Sequence, residues 1–335
     1  MSGRELRLAV VGTGGIYLRM HSRNLQAIGG NKVIAVCDVD EANLKQAMEF
    51  HGARGYNDFG EMLDKERDID GLLLCTPPTV RREVIELAAE RKIPVFCEKP
   101  PARSLDDARA IIEIVEKSGV PVSVGFMYRY LPSVAYLKSL IRDEKINLVQ
   151  STFLCSPALT RKAPGWFFIK EKSGGHIVDQ AIHVIDLLRF IVGDIETVHT
   201  LGNNVICEKA EDFTIEDSSS TNLRFASGAS GNHTHSWAYR KFVAEITVTG
   251  AEYRLTLALD FKVNGWIRDD NIEKTFDKPP GASHHYYELK VFLDALRTGD
   301  FSGVLSPYRD AAKTLATVIA MNKSIESGKP ERVEL

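Results

Sequence analysis

The sequence predicts an α/β fold: an N-terminal doubly wound parallel sheet, followed by an α+β domain whose sheet is mostly antiparallel. In the first third of the chain, amphipathic stretches separate short apolar runs, namely LRLAVVG, KVIAVCD, IDGLLLCT, IPVFCE and VPVSVGF. Strands separated by helices favour right-handed βαβ units and a parallel sheet. After about Phe126, runs such as NLVQSTFLCS, SSSTNLRFASG and FVAEITVTG follow one another with Gly and Ser turns, which favours an antiparallel or mixed sheet. We therefore predict one domain over residues 1–125 and a second over residues 126–335.

The composition is that of an ordinary globular protein. A length of 335 residues and a hydrophobic content of 44% suit two domains with sizeable cores. The formal net charge of -3 provides no basic field for nucleic acid or anionic lipid, so neither is expected as a partner. No apolar run approaches the ~20 residues needed to span a bilayer. The opening MSGRELRLAVVG does not resemble a signal peptide, and Cys37, Cys75 and Cys97 are expected to be reduced core residues. These features predict a cytoplasmic protein.

The stretch VVGTGGIYLRMH lies where the first strand would turn into the first helix. Gly12 and Gly14 let the backbone turn tightly and approach a pyrophosphate. Gly15 and Ile16 open the helix whose N-terminal N–H groups would bind it. In the G-x-G-x-x-G pattern the third position is small, but here it is Tyr17. The stretch predicts a dinucleotide-binding loop with one departure from the pattern.

A second strand ends in VCDVD, which places Asp38 26 residues after Gly12. A carboxylate at this strand end accepts hydrogen bonds from a ribose diol and repels a 2′-phosphate, and neither Val39 nor Asp40 supplies a cation to hold one. The pattern therefore favours NAD over NADP as the cofactor. The alternative is that Asp38 is only a turn or helix-capping residue.

Two later strands end in CTPPTVRRE and CEKPPARS. Ligands of a doubly wound sheet lie outside the carboxyl ends of its strands, so Thr76, Pro77, Glu98 and Lys99 are candidates for the same edge as Gly12. A lysine held there before two prolines suits hydrogen-bond donation to a reacting hydroxyl and stabilisation of developing alkoxide charge. The alternative is that Glu98 and Lys99 are an exposed pair that closes a strand.

Residues 174–191, GGHIVDQAIHVIDLLRFI, predict a helix with two unlike faces. At about 100° per residue, Asp179, His183 and Asp186 share a narrow polar stripe opposite an apolar face. Such a stripe faces either bulk water or a cleft. Asp and His one turn apart suit proton transfer better than solubility, which favours a cleft for Asp179 and His183. Asp186 is either substrate-facing or the solvated end of the stripe.

Taken together, TPP, EKP, GFMYRY and GGHIVDQAIHVIDLL resemble the Gfo/Idh/MocA family of nicotinamide-dependent sugar and cyclitol oxidoreductases. The resemblance covers nearly the whole chain and continues in SGASGNHTHSW, VTGAEYRLTL and YYELKVFLDALRTG. It implies a Rossmann domain that carries the cofactor and a second domain that binds a sugar, cyclitol or polyol. It also implies assembly into a homodimer or homotetramer through the open sheet of the second domain.

The resemblance implies a role for each motif. Lys99, Asp179 and His183 would be the catalytic trio and would contact the substrate, and Glu98 would contact the nicotinamide ribose. The remaining cofactor contacts would come from Gly12, Gly14, Asp38 and Thr76. Three positions depart from the family pattern: Tyr17 in the glycine loop, Arg81 where a His is common after TPP, and Ala181 where a Gly is common.

For a secondary alcohol of a sugar or cyclitol, the hypothesis is hydride transfer to NAD⁺ while His183 takes the hydroxyl proton. An imidazole with an unperturbed pKa of about 6.5 can hold either state near neutrality. Asp179 would orient the ring or share the hydroxyl's hydrogen bonds, and Lys99 would polarise the oxygen. Trp166 would pack on sugar C–H surfaces or belong to the core. Arg129 would line the pocket or pair with an acid.

Other function classes stay open. A hydrolase or epimerase that keeps NAD bound and uses transient oxidation, as some members of this family do, would carry the same motifs. A non-catalytic NAD-binding regulator is ranked last, because a regulator is expected to lose the Lys–Asp–His trio and this chain keeps all three residues. Fold analogy alone does not separate these classes. His233 and His235 alternate on a predicted strand, but no further ligands stand at a suitable spacing, so no metal is predicted.

Overall fold

The structure is a computed structural model that describes residues 4–162, 164–259, 261–281 and 283–335. In this part of the chain the strands are β1 (Leu6–Val11), β2 (Asn31–Cys37), β3 (Arg54–Tyr56), β4 (Gly71–Leu74), β5 (Val95–Cys97), β6 (Val122–Val124), β7 (Leu148–Leu154), β8 (Ile195–Asn203), β9 (Ser218–Phe225), β10 (Ser230–Ser236), β11 (Val243–Thr249), β12 (Tyr253–Ala258), β13 (Lys262–Ile267), β14 (Asp270–Thr275) and β15 (Glu331–Arg332). The α-helices are α1 (Ser22–Ile28), α2 (Glu41–His51), α3 (Phe59–Lys65), α4 (Arg81–Glu90), α5 (Leu105–Ser118), α6 (Pro132–Leu140), α7 (Pro157–Thr160), α8 (Lys170–Ser173), α9 (Ile182–Val192), α10 (His285–Thr298) and α11 (Tyr308–Ser327). Two π-helical turns, Tyr17–His21 and Ile177–Ala181, lead directly into α1 and α9.

The first six strands form a parallel sheet in the order β3-β2-β1-β4-β5-β6. This is the strand order of a doubly wound dinucleotide-binding fold, with the order reversing between β1 and β4. Every residue of β4 and β5 is buried, which explains why these strands read as continuous apolar runs. The predicted parallel sheet is confirmed, and the carboxyl ends of β1, β2, β4 and β5 meet at one edge.

The other nine strands form a sheet in the order β14-β13-β12-β11-β7-β10-β9-β8-β15. The pairing of β7 with β10 is parallel, and the other neighbouring pairs are antiparallel. Along β9, buried and exposed residues alternate, as in a sheet that is covered on one face. The expectation of a mostly antiparallel second sheet is confirmed.

The chain forms two compact units. The first comprises the residues up to Tyr130 and Lys278–Ala312, and the second comprises Leu131–Asp277 and Lys313–Leu335. The sequence division at residue 125 leaves α10 with the second domain, whereas the structure places it in the first unit. The reason is packing: Leu289, Phe292 and Leu293 of α10 are buried in the same hydrophobic core as side chains of β1 and β2.

In the second unit, most side chains of α9 are buried, on its polar face as well as on its apolar face. The predicted apolar face is buried, as shown by Ile177, Ala181, Val184, Ile185 and Leu188. Leu187 is buried as well, so the helix belongs to the core of its unit and not to its surface. Within the described ranges, no helix is both long and apolar enough to cross a membrane.

Candidate active site

The glycine loop after β1 requires glycine at its first position. Gly12 has a φ of +86°, and a Cβ added there would lie 2.7 Å from the backbone of Cys75 and Thr76. No other residue fits, because β1 ends against the residues that follow β4. Gly14 is half-buried and Gly15 is exposed, at the start of the helix whose first N–H groups have no intrahelical acceptor. The loop is therefore shaped for close approach of an anionic group.

Asp38, at the end of β2, is bonded to this loop. Its Oδ2 accepts hydrogen bonds from the N–H of Thr13 at 2.6 Å and from Thr13 Oγ1 at 3.0 Å. Its Oδ1 accepts from the N–H of Asp40 at 2.9 Å, while Asp40 itself caps α2. The capping role that the sequence left open belongs to Asp40, and Asp38 is a half-buried carboxylate oriented from two sides.

Tyr17 occupies the position where the glycine pattern calls for a small residue, and it is fully buried. The helix widens there into its π-helical turn, and Tyr17 Oη lies 2.7 Å from Nε2 of His51, at the end of α2. Burial lowers the pKa of His51 to about 4, so this ring is neutral at neutral pH. Tyr17 therefore connects the first helix to α2, and the wider turn accommodates a large side chain in the glycine loop.

Arg81 holds the ends of two neighbouring strands together. The guanidinium, only 2% exposed, donates to the carbonyl oxygen of Thr76 after β4 at 2.6 Å. It also donates to the carbonyl oxygens of Glu98 and Lys99 after β5. The sequence marked Arg81 only as a departure from the family pattern. Its place in the fold shows that it fixes the two loops that carry the predicted cofactor residues.

Glu98 is buried and bonded to the first helix. Its Oε1 lies 2.6 Å from Nε2 of His21, and its Oε2 accepts from the N–H of Lys99 at 3.0 Å. Burial alone would raise the pKa of Glu98, but the hydrogen bond and charge of His21, aided by His285 and Lys99, hold it well below its ordinary value. Glu98 is thus an anion, and not an exposed member of a surface pair.

Among the described residues, one group offers three potential metal ligands: Glu98, His285 and Glu288, whose ligand atoms lie within 4.8 Å of one another. Both oxygens of Glu98 already accept protein hydrogen bonds, and Nδ1 of His285 lies 2.9 Å from Ser283 Oγ. Because both oxygens of Glu98 and one ring nitrogen of His285 already have these partners, we assign no metal to the group.

In the second unit, Asp179 lies in the π-helical turn that precedes α9, and His183 follows in the first turn of α9. A π-helical turn is wider than the 3.6 residues of an α-helical turn, so residues four apart lie more nearly above one another. Asp179 is half-buried and His183 is 9% exposed. Single π-helical turns are frequent at functional sites. Asp179 therefore lies half-buried in the π-helical turn, and His183 lies buried at the start of α9.

Asp186 differs from both options that the sequence left for it. It is 1% exposed, and its Oδ1 accepts from the hydroxyl of Thr314 at 2.8 Å. Arg189 donates to the same hydroxyl oxygen and to Asp194. Asp186 belongs to an interior network between α9 and α11, so the solvated end of the stripe, one of the two places that the sequence left open for it, is wrong.

Arg129 and Trp166, which the sequence also offers as substrate contacts, differ in burial. Arg129 is 3% exposed and donates to the carbonyl oxygen of Leu305 and to Asp310, both at 2.6 Å. Its alternative interpretation, pairing with an acid, describes this ion pair within the first unit. Trp166 is 45% exposed and packs against Phe167, with ring centroids 4.1 Å apart and ring planes tilted by 39°. It is not a core residue, because nearly half of its surface is exposed.

A cluster of buried histidines lies beneath the start of α9. His233 and His235 point to one face of β10, and the structure adds His176, whose ring centroid lies 5.0 Å from that of His235. Ser151 and Ser219 bond one nitrogen each of His233 and His176. Burial lowers the pKa of His176 to about 4 and that of His233 to about 3. These rings are neutral core residues near neutral pH.

Two family models match the chain. One, described as "Oxidoreductase family, NAD-binding Rossmann fold", matches residues 6–126, and the other, described as "GFO/IDH/MocA C-terminal domain", matches residues 134–256. The first range contains the glycine loop, Asp38, Thr76, Glu98 and Lys99, and the second contains Asp179 and His183.

Related proteins agree with this match. The scyllo-inositol 2-dehydrogenase (NAD(+)) of Bacillus subtilis strain 168 is 31% identical, over 99% of this chain and 97% of that protein. The 2,7-anhydro-N-acetylneuraminate hydratase of Mediterraneibacter gnavus is 28% identical, over 62% of this chain and 55% of that protein. A solved levoglucosan dehydrogenase in complex with NADH has the same fold, with a TM-score of 0.86, 21% identity and coverage of 98% and 99% of the two chains.

Proposed function

The chain belongs to the GFO/IDH/MocA family of NAD-binding oxidoreductases, and we propose that it transfers a hydride between NAD and a secondary alcohol or ketone carbon of a sugar, cyclitol or related polyol. The observation that carries the proposal is the Asp179–His183 pair: Asp179 is half-buried in the π-helical turn, and His183 follows four residues later, buried in the first turn of α9. A carboxylate and an imidazole four residues apart on a helix suit removal of a hydroxyl proton, and a solvated surface helix would have no use for them.

The residues of the first unit suit NAD. Gly12, Gly14, Gly15 and Ile16 offer a tight turn and helical N–H groups for the pyrophosphate. Asp38 offers acceptors for the adenosine ribose. Thr76, Pro77, Glu98 and Lys99, at the ends of β4 and β5, would border the nicotinamide end. When bound, NAD⁺ supplies the hydride acceptor, and this chain's own residues bind, orient and deprotonate.

In the forward direction, a ring nitrogen of His183 accepts the proton of the substrate hydroxyl as the hydride leaves the carbon that bears it. Asp179 orients that ring or shares the hydroxyl's hydrogen bonds. The ammonium of Lys99 donates to the same oxygen and stabilises the negative charge that develops there. The carbon loses two electrons with the hydride, the oxygen loses a proton, and a ketone remains. In the reverse direction His183 returns the proton.

The substrate proposed is rich in hydroxyl groups. The named relatives act on an inositol, on levoglucosan and on an anhydro sugar acid, which share ring C–H faces and vicinal hydroxyls. The half-exposed indole of Trp166 suits packing on such a C–H face.

The test is a screen of inositols, aldoses and their keto forms with NAD⁺ or NADH, and in parallel with NADP⁺ or NADPH. Nicotinamide absorbance is followed for the wild type and for His183→Ala. Turnover that needs NAD and is lost in the variant supports the proposal. If no polyol is oxidised and no ketone reduced by the wild type, the proposal is wrong.

One observation favours a second function. A relative is named a hydratase, a reaction with no net oxidation of its substrate. The same residues can then serve a transient oxidation by NAD that stays bound. Tightly retained NAD and product formation without net change in nicotinamide absorbance would favour this alternative.

Assembly and location also remain proposals. One face of the second sheet presents polar side chains to solvent, including Ser220, Asn222 and Arg224 of β9. A homodimer or homotetramer that pairs these faces would cover them. Light scattering coupled to size-exclusion chromatography measures the oligomer number directly, and a monomer at micromolar concentration would exclude this assembly. The expected cytoplasmic location stays a prediction.

A further inference from the structure

The π-helical turn before α9 is anchored through a residue that the sequence did not single out. Gln180 lies between Asp179 and Ala181, in the last turn before α9. Its Oε1 accepts a hydrogen bond from Nε1 of Trp237 and one from Sγ of Cys155 at 3.2 Å. Two donors on the sheet thus converge on one oxygen of the turn.

Both donors are themselves held in place. Trp237 follows β10, is 1% exposed, and packs against the rings of His176 and Phe168 at centroid distances of 6.1 Å and 6.2 Å. Cys155 follows β7, and its N–H donates to the carbonyl oxygen of Ser236 at 2.9 Å. Because an indole has a single N–H donor, loss of the acceptor would leave a buried polar group unsatisfied. Packing thus fixes the indole of Trp237, and a backbone hydrogen bond fixes Cys155. We call the hydrogen bonds of these two donors to Gln180 the anchor of the turn.

The anchor acts on the helix by restricting rotation. Asp179 and Gln180 are adjacent in the same turn, so a rotation of the turn about the helix axis moves both side chains together. A π-helical turn has poorer intrinsic stability than an α-helical one and relaxes unless tertiary contacts hold it. The hydrogen bonds of Gln180 supply such contacts at the residue next to Asp179.

We propose that Gln180 is a positioning residue, which holds the π-helical turn in the register that aligns Asp179 with His183. The inference rests on the proposed function, because the benefit of this alignment is proton transfer by that pair. Gln180 itself does not act on the substrate. Its amide fixes the turn from the side of the sheet.

The first test is Gln180→Leu, which keeps the size of the side chain and removes the acceptor. We expect kcat to fall about tenfold to a hundredfold, as for an angstrom-scale misplacement of a reacting group, while the dissociation constant of NAD stays within about twofold. Leu188→Val is the matched control: it loosens the buried face of the same helix without touching the anchor, and it should keep kcat. Wild-type kcat in a folded Gln180→Leu variant overturns the proposal.

A conservative variant separates positioning from a merely structural role. Gln180→Glu keeps an acceptor for Trp237 and Cys155 but adds a negative charge next to Asp179. We expect kcat to recover at high pH, with the acidic limb of the kcat/KM profile moved to higher pH, because the added charge favours protonation of Asp179 and His183. An unshifted profile with kcat as low as that of Gln180→Leu counts against the proposal.

Two further measurements make the result independent of folding and of the substrate. If Gln180→Leu does not fold, Trp237→Phe removes the principal donor instead; a lowered kcat supports the proposal and an unchanged kcat overturns it. Hydrogen exchange of residues 177–183 needs no substrate, so it remains informative if the wild type oxidises no polyol. Faster exchange in Gln180→Leu than in Leu188→Val supports the anchor, and equal exchange overturns it.

Discussion

Thr13 donates twice to the same oxygen of Asp38, from its N–H at 2.6 Å and from its hydroxyl at 3.0 Å. The carboxylate at the end of β2 is therefore fixed to the glycine loop before any cofactor binds. A ribose diol would meet acceptors that are already oriented, which lowers the entropic cost of binding.

Replacement of this carboxylate tests its role in binding NAD. Asp38→Ala is expected to raise the KM for NAD about tenfold to a hundredfold with little change in kcat at saturation, because the lost contacts stabilise ground state and transition state alike. Steady-state kinetics with varied NAD measure both constants. Asp40→Ala is the control: it removes the cap of α2, at a cost of ~1 kcal/mol in stability, and should leave the KM unchanged. An equal effect of the two variants on KM would contradict the assignment.

The proton-transfer residues are tested by His183→Ala and Lys99→Ala. Each is expected to lower kcat by roughly 10²–10⁴-fold, because the hydroxyl loses its base or the developing charge loses its donor. Calorimetry should find the dissociation constant of NAD changed by no more than a fewfold for His183→Ala. Asp186→Asn is the comparison on the same helix: Asp186 serves an interior network with Thr314, so kcat should persist. Near wild-type turnover in His183→Ala would show that His183 is not the base.

The role of Arg81 is tested by stability. Arg81→Ala leaves the carbonyl oxygens of Thr76, Glu98 and Lys99 without their buried donor. We expect the free energy of unfolding to fall by about 2–4 kcal/mol, which urea titration followed by circular dichroism measures. The exposed neighbour provides the control, since Arg82→Ala should change stability by less than about 0.5 kcal/mol. Indistinguishable midpoints for the two variants would show that Arg81 does not hold the strand ends.

The buried histidine cluster predicts loss of stability in acid. Burial lowers the pKa of His176 to about 4 and that of His233 to about 3, and it holds the pKa of His235 well below its ordinary value. The unfolded chain takes up protons below pH ~6.5 while the folded chain does not, so stability is complete above that pH and falls as the pH drops toward 4. Each histidine contributes a slope of at most about 1.4 kcal/mol per pH unit, reached where its unfolded form is protonated and its folded form is neutral.

His235→Phe isolates one member of the cluster. His235 stacks on Phe153 at 5.3 Å with ring planes 8° apart, and a phenyl ring suits the same place. Unfolding titrations at several pH values between 6.5 and 4 should show a slope lower by up to about 1.4 kcal/mol per pH unit than in the wild type. The same slope in both proteins would mean that His235 does not remain neutral in the folded state.

Much of the fold was open to prediction because its signals are local. A period of two or of 3.6 residues reports burial within one element, and that was sufficient to predict a parallel sheet followed by a mostly antiparallel one. Gly12 and Asp38 stand at the ends of consecutive strands, and the rule that such ends meet at one sheet edge connects them without any coordinates. The D-x-x-x-H spacing likewise places Asp179 and His183 together.

Contacts between distant parts of the chain left no such signal. Arg81 reads as one more charged residue of an amphipathic helix, and only the folded chain shows its guanidinium among three carbonyl oxygens. The ring of His176 lies beside that of His235, 59 positions further along the sequence, with nothing local to link them. The return of residues 278–312 to the first unit has the same origin, because α10 fits either unit by pattern and only packing selects one.

By itself, the sequence determined the family, the glycine loop after the first strand and the helix that carries Asp179 and His183, since each depends on residue types at short spacing. Only the tertiary structure determined which polar residues of that helix are buried and what they contact. In the interior, Thr314 donates a hydrogen bond to Asp186. Trp237, which follows β10, donates one to Gln180. The physical reason is that periodicity reports only the direction in which a side chain leaves its helix. The partner of that side chain comes from another element of the fold. Whether such a partner is present determines whether a polar group is hydrogen-bonded in the interior or stays available to a substrate.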